Sequence, residues 1–385
     1  MERNVRRMIL LLPGMLALLA AMWGGLLRLG WDWPLIRPTL PINHGPLMIG
    51  GFLGTLIGLE RAVALAALQQ AQGGKIGGEV SLLGLWPYAA PLLTGAGALL
   101  LIAGVPGAPG PSLITLGSLA LLVIFAVIVR TQPALFTATI GLGALAWLVG
   151  NLLWLTGRPI YSVVLWWAGF LVLTIVGERL ELSRLLHLPR PALAWFMAAV
   201  GAFLAGLLLS TFRLSLGTRA AGIAMVTLAL WLARYDIARR TVRQTGLPRF
   251  IAVCLLSGYV WLGISGILAL VFSGVTAGPR YDALLHSLFL GFVFTMIFGH
   301  APIIFPAVFR LPVSFRPAFY GHLALLHLTL ILRVGGGLAG WTQGLQWGGL
   351  LNALVLLLFL LNTARAIQRP PAVAVAQPIP QSQQR

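Results

Sequence analysis

Between Met8 and Ala364 the chain is a succession of apolar runs near 20 residues long, separated by short connections. A helix of about 20 residues spans roughly 30 Å, the thickness of the hydrocarbon core of a bilayer. In hydrocarbon a backbone must satisfy its own hydrogen bonds, so such runs fold as helices. This pattern excludes a soluble enzyme, a disordered chain and a disulfide scaffold. Composition agrees: 59% of the residues are apolar and 9% charged, against about 25% charged in a soluble domain.

Twelve spans are predicted, at about 8–29, 42–66, 82–104, 112–130, 134–156, 160–182, 192–212, 220–238, 250–274, 283–308, 317–338 and 344–364. They form one all-α integral membrane domain over 1–369, in contact with the lipid bilayer. The tail, 370–385, is rich in Pro, Gln and Ala and is expected to be disordered on the cytoplasmic side. The apolar run after the basic N-terminus is long enough to span and reads as a first helix, not a cleaved signal.

The net charge of +18 invites a nucleic-acid reading, which fails on distribution. With the N-terminus placed inside, 19 of the 26 Lys and Arg residues fall on the inner side and 7 on the outer. That asymmetry predicts both termini cytoplasmic, as in a bacterial inner-membrane protein, with the basic side toward anionic lipid. The single cysteine, Cys254, has no internal partner and reads as a buried small hydrophobe. Trp31, Trp33, Trp86, Trp166 and Trp341 read as interface belts.

Spans 2, 6 and 10 align without gaps. They read Gly51-Phe52, Ile57 and Glu60-Arg61; Gly169-Phe170, Ile175 and Glu178-Arg179; and Gly291-Phe292, Ile297 and His300. The phenylalanines are 118 and 122 residues apart, four spans each time. An even number of spans gives the units one orientation, so the pattern predicts a pseudo-threefold repeat of four-helix units, about 1–130, 131–249 and 250–369. Chance matches of common membrane residues would give the same letters.

His44 opens span 2 and His286 lies in span 10, eight and six residues before the aligned phenylalanines. On ideal helices these are depths of about 12 and 9 Å, with a rotation of about 200° between them. The two imidazoles then sit level in the outer leaflet on repeat-related helices. Two axial histidines reaching one metal from opposite sides need this arrangement, and a shared metal or haem is one reading. The other is a pair of interfacial histidines satisfied by water.

The motif His44-Gly45, Met48-Ile49 resembles the second helix of subunit I of haem-copper oxidases, where a histidine ligates the low-spin haem. The stretch His286-Ser287-Leu288-Phe289-Leu290-Gly291, Thr295-Met296 resembles a late helix of NnrS-type membrane haem proteins, a twelve-span family tied to nitric-oxide stress. Its place is also similar to that of the tenth oxidase helix. The resemblance implies twelve helices in a pseudo-threefold and haem b held by His44 and His286. It also departs from the oxidases. Leu284 stands where they place a high-spin haem ligand, and spans 6 and 7 have no histidine for copper. Copper is therefore unsupported, and oxygen reduction by a haem-copper centre is excluded as that family builds it. The doubled histidine that opens the second NnrS helix is also absent around His44.

Haem propionates need cations. Arg333 in span 11 is the first candidate, with Arg280 and Arg37 next. The alternative is snorkelling for Arg333 and solvation for the other two. A second group, His300 with His322, is an alternative metal or proton site. His327 shares no face with His322. The Glu-Arg pairs read as self-neutralising at the inner interface, or as ties across the bundle. Asp32, Asp236 and Asp282 read as solvated connection residues. No nucleophile elbow, phosphate loop or zinc spacing occurs. The function expected is electron transfer, or the handling or sensing of nitric oxide or oxygen, with a quinol or cytochrome partner. The rival is a cofactor-free secondary transporter with parallel repeats. An assembly factor without chemistry is a third possibility.

Overall fold

The computed structural model describes residues 2–71 and 85–367. Among the described residues, twelve helices are long and apolar enough to cross a membrane. They are α1 (Val5–Arg28), α2 (His44–Gln69), α3 (Trp86–Ala103), α4 (Pro109–Thr131), α5 (Leu135–Leu155), α6 (Ile160–Leu186), α7 (Arg190–Phe212), α8 (Leu214–Tyr235), α9 (Gly246–Val271), α10 (Gly278–Phe309), α11 (Phe319–Leu338) and α12 (Thr342–Ala366). Among the described residues there is no strand, and one isolated bridge joins Val313 to Ile367. Lys75 and the 370–385 tail lie outside the described residues.

Consecutive helices pair as neighbours, α3 with α4, α5 with α6, α7 with α8 and α11 with α12, as short connections require. Small residues let backbones close up. At the α8–α9 crossing, a Cβ on Gly222 or on Gly266 would stand 2.7 Å from the other's carbonyl oxygen, so both positions need hydrogen there. The most enclosed helices are α6 and α10, buried over 78% and 72% of their apolar windows, against 39% for α1, α7 and α12. These two therefore run through the centre, where a polar side chain must find a protein partner.

Two helices are not regular. In α2 the stretch Leu47–Leu53 is π-helical, and in α10 Ser287–Phe294 is. A π turn bonds i to i+5, so it is wider than an α turn and rises less per residue. The depths and rotation expected from ideal α geometry do not carry across these stretches.

Three sequence expectations are corrected here. Asp236, just past α8, is 1% exposed and accepts from Arg179 Nε at 2.9 Å and from the Ala238 amide at 2.7 Å. It is a buried counter-ion, because Arg179 on the enclosed α6 has no water to meet. Asp282 is not in a connection either: α10 starts at Gly278 with Pro279 in its first turn, so Asp282 lies inside the helix. Trp166 is 8% exposed, and its indole donates to Thr211 at 3.0 Å. Its place on α6 puts it in the bundle and not in an interface belt. Cys254 is fully buried on α9.

Candidate functional site

His44 and His286, far apart in sequence, meet at one end of the bundle. Their ring centroids are 6.2 Å apart with planes inclined by 32°. They line a cavity of about 710 Å³, within the range of small-molecule and cofactor sites. His286 is the last residue before one π segment and His44 stands three residues before the other, and such segments are frequent at functional sites. Gly25 on α1 makes room for one of them: a Cβ there would stand 2.8 Å from His44 Cε1 and Nδ1.

Both rings are oriented from behind. His44 Nδ1 is 2.7 Å from the Ala21 carbonyl oxygen. His286 Nδ1 is 3.0 Å from the Asp282 carbonyl oxygen and 3.0 Å from its Oδ1. A carbonyl only accepts, so the Nδ1 atoms carry the protons and the lone pairs are left on Nε2. Neither Nε2 has a hydrogen-bond partner among the described residues. Metal-binding histidines are held this way, the second nitrogen donating to a carbonyl or carboxylate. Two imidazoles on opposite sides of one metal, at about 2.0 Å each, have ring centroids roughly 6 Å apart, which matches the separation here.

Arg333 on α11 lines the same cavity and is 7% exposed. It donates from Nε to Asp282 Oδ2 at 2.8 Å and from Nη2 to Oδ1 at 2.7 Å. This fork-to-fork pair links α11 to α10 and ends on His286. Arg28 and Arg158 also line the cavity, and both were missed in the sequence. They stand at the end of α1 and in the α5–α6 connection, with no periodic relation to either histidine. Arg37 and Arg280 do not line it: the Arg280 guanidinium lies 5.2 Å over the Phe272 ring. Three arginines against one aspartate leave the lining two positive charges in excess. The remaining wall is largely apolar, with Met22, Leu26, Met48, Ile49, Phe289 and Phe294 among its residues.

Among the described residues His322 lines neither the histidine cavity nor the chamber that holds His300. His322 is 1% exposed and enclosed by Phe250, Phe298, Phe319 and Phe359, with Asn362 Nδ2 3.3 Å from its Nδ1. His327 accepts from Trp261 Nε1 at 3.0 Å. His300 lines a second, smaller chamber of about 130 Å³ in the other half of the bundle. Among the described residues no group of three or more His, Cys, Asp or Glu side chains is placed to hold a metal ion.

The lining of that chamber follows the sequence alignment. Glu60, Glu178 and His300 all face it, and so do Ile57, Ile175 and Ile297. Leu53, Leu171 and Val293 line it as well, with Leu56, Thr174 and Met296. These are the positions one, four, five and eight residues after the aligned phenylalanines on α2, α6 and α10, which make one face of a helix. The Glu-Arg pairs do not neutralise themselves separately. Arg61 lies 3.5 Å from Glu60 and closer still to Glu178 across the bundle, while Arg179 turns to Asp236.

The fold and the site define a class: a helical protein with twelve membrane-length apolar helices, and a histidine pair set in a basic cavity at one end. Residues 7–368 match the family model described as a domain of unknown function, DUF8744, and the chain belongs to that family. No curated protein and no solved structure matches it.

Proposed function

We propose that the protein is a b-type haem protein of the bacterial inner membrane, with both termini cytoplasmic, serving electron transfer or the handling or sensing of nitric oxide or oxygen. The observation that carries this reading is the histidine pair: centroids 6.2 Å apart, each Nδ1 held by a carbonyl, each Nε2 left without a partner among the described residues. The cavity volume and its two excess positive charges suit a flat apolar macrocycle bearing two carboxylates. His44 and His286 would hold the iron, and Arg28, Arg158 and Arg333 would meet the propionates. Bound there, haem would supply reversible one-electron transfer. Ala21 and Asp282 fix the tautomer and direction of the two rings, and Arg333 fixes Asp282.

The oxidase-like arrangement, nearest to NnrS-type proteins, is part of the same proposal. The twelve repeat-equivalent residues that line one chamber support a pseudo-threefold of four-helix units. Leu284 and the histidine-free spans 6 and 7 leave no copper ligands of the oxidase kind. A quinol or cytochrome is the partner class such a haem requires. The second reading, a cofactor-free transporter with parallel repeats, is favoured by the ionisable residues Glu60, Glu178 and His300 facing one chamber.

Membranes rich in the protein are expected to give a dithionite-reduced minus oxidised spectrum of b-type haem, and His44→Ala and His286→Ala each to abolish it. A colourless protein purified from haem-replete cells overturns the haem reading and leaves the transporter.

A further inference from the structure

The chamber at the other end of the bundle holds an unbalanced charge. Among the described residues, both Glu60 and Glu178 have Arg61 as their cross-chamber or neighbouring cation. The next guanidinium, Arg179, is taken by Asp236 at 2.9 Å. Farther out, Glu181 stands 3.9 Å from Arg184. Helices α1 and α12 bring only apolar side chains, Leu11, Met15, Phe359 and Leu360. Two carboxylates therefore share one guanidinium, and one negative charge is left over. The Glu60, Arg61 and Glu178 side chains are 23%, 15% and 22% exposed, so water screens this charge only in part, and leaving it uncompensated is costly.

Three further polar atoms, two in the chamber lining and one on Arg61, lack partners among the described residues. His300 lines it with Nδ1 2.9 Å from the Met296 carbonyl oxygen, and its Nε2 has no hydrogen-bond partner among the described residues. Thr174, also in the lining and 4% exposed, has a hydroxyl without a partner, and so has the buried Nε of Arg61. Unpaired polar atoms in an apolar wall indicate ordered water. A volume of about 130 Å³ has room for roughly four water molecules. The missing charge is then a single positive one, reachable through water from two carboxylates and an imidazole. A hard metal cation prefers a shell of oxygens, whereas one of the three aligned groups here, His300, is an imidazole. The proton suits all three.

We propose that this chamber is a proton-binding site, in which Glu60, Glu178 and His300 hold one exchangeable proton between them and water links them to Thr174. The proton adds to a carboxylate oxygen or to His300 Nε2 without any bond breaking in the protein, and leaves by the same atoms. The site does not rest on the haem reading, since the histidine pair lies in the other cavity.

The test uses the full chain in lipid nanodiscs, comparing infrared spectra and proton uptake between acid and alkaline buffer, first without sodium and then with added sodium chloride. The expected result is a carboxyl or imidazolium band that titrates in the wild type. In the Glu60→Gln, Glu178→Gln double variant the band is lost, and one proton fewer is taken up per molecule. Where that variant does not fold, His300→Gln serves instead, with a shifted titration expected. An unchanged band and unchanged uptake in a folded variant overturn the proposal. Displacement of the proton by sodium also overturns it, in favour of a sodium site. A colourless protein that still shows the titration would separate failure of the haem reading from failure of this one.

Discussion

Helices α2 and α10 each pass through a π segment within three residues after a histidine. Helix α6, which aligns with both, is α-helical from Ile160 to Ser183. At the chamber end the three are interchangeable, each giving the same four positions to one lining. At the cavity end they diverge. Eight and six residues before the aligned phenylalanine, α6 carries Ser162 and Val164, where α2 has His44 and Pro46 and α10 has Leu284 and His286. Tyr161 and Val164 of α6 line the histidine cavity as wall. The same helical frame thus gives two histidine-bearing helices and one that closes the side. The irregular turns go with the histidines, not with the frame.

The largest effect that would sharpen this contrast is on stability. Arg179 of α6 is paired in full burial with Asp236, whereas its counterpart Arg61 on α2 keeps partial contact with water. Arg179→Leu is expected to cost about 3–5 kcal/mol, because it strands a buried carboxylate. Arg61→Leu is expected to cost less, since its partners Glu60 and Glu178 are 23% and 22% exposed and can each take up a proton from water. Thermal unfolding of the two variants in one detergent checks the order, and equal losses would remove the distinction between the two helices. A middle-sized effect concerns the support of His44. Gly25→Val puts carbon where the ring lies, at 2.8 Å, whereas Gly45→Ala meets its nearest neighbour at 3.8 Å. The first is expected to lower haem occupancy severalfold and the second to leave it unchanged, read as b-type absorbance per protein. The smallest effect is electronic. Asp282→Asn removes the negative charge behind His286 and is expected to keep the haem but raise its reduction potential. Redox titration of the purified variant measures this, and an unmoved potential would show that the Arg333–Asp282 pair is packing alone.

The sequence carries much of this because the Gly-Phe frame acts as a ruler. The chamber positions follow from counting forward from it, whereas the count back to each histidine crosses a π segment, where ideal α geometry does not hold. The span boundaries follow from hydropathy to within a few residues, and the larger errors had consequences. Reading span 10 from residue 283 left Asp282 outside, although Gly278-Pro279 is a helix start by its proline. Glu60-Arg61 looked self-neutralising, yet adjacent residues on a helix point about 100° apart and reach other helices more readily than each other. Arg28 and Arg158 follow no pattern in the chain, since they come from separate ends that meet only when the bundle closes. The π segments have no side-chain signature at all, being a choice of backbone hydrogen bonds.

Those π segments make residue count itself a determinant of chemistry. Removing one residue from Leu47–Leu53 turns His44 by about 100° relative to the rest of α2. The ring is carried off the cavity together with its α2 neighbours in the lining, such as Gly45, while the walls from the other helices and the chamber face stay in place. Single-residue length differences at this point in α2, or at its counterpart in α10, would sort relatives by what they carry. Two chains with the same lining can then differ in cargo by an amide more or less.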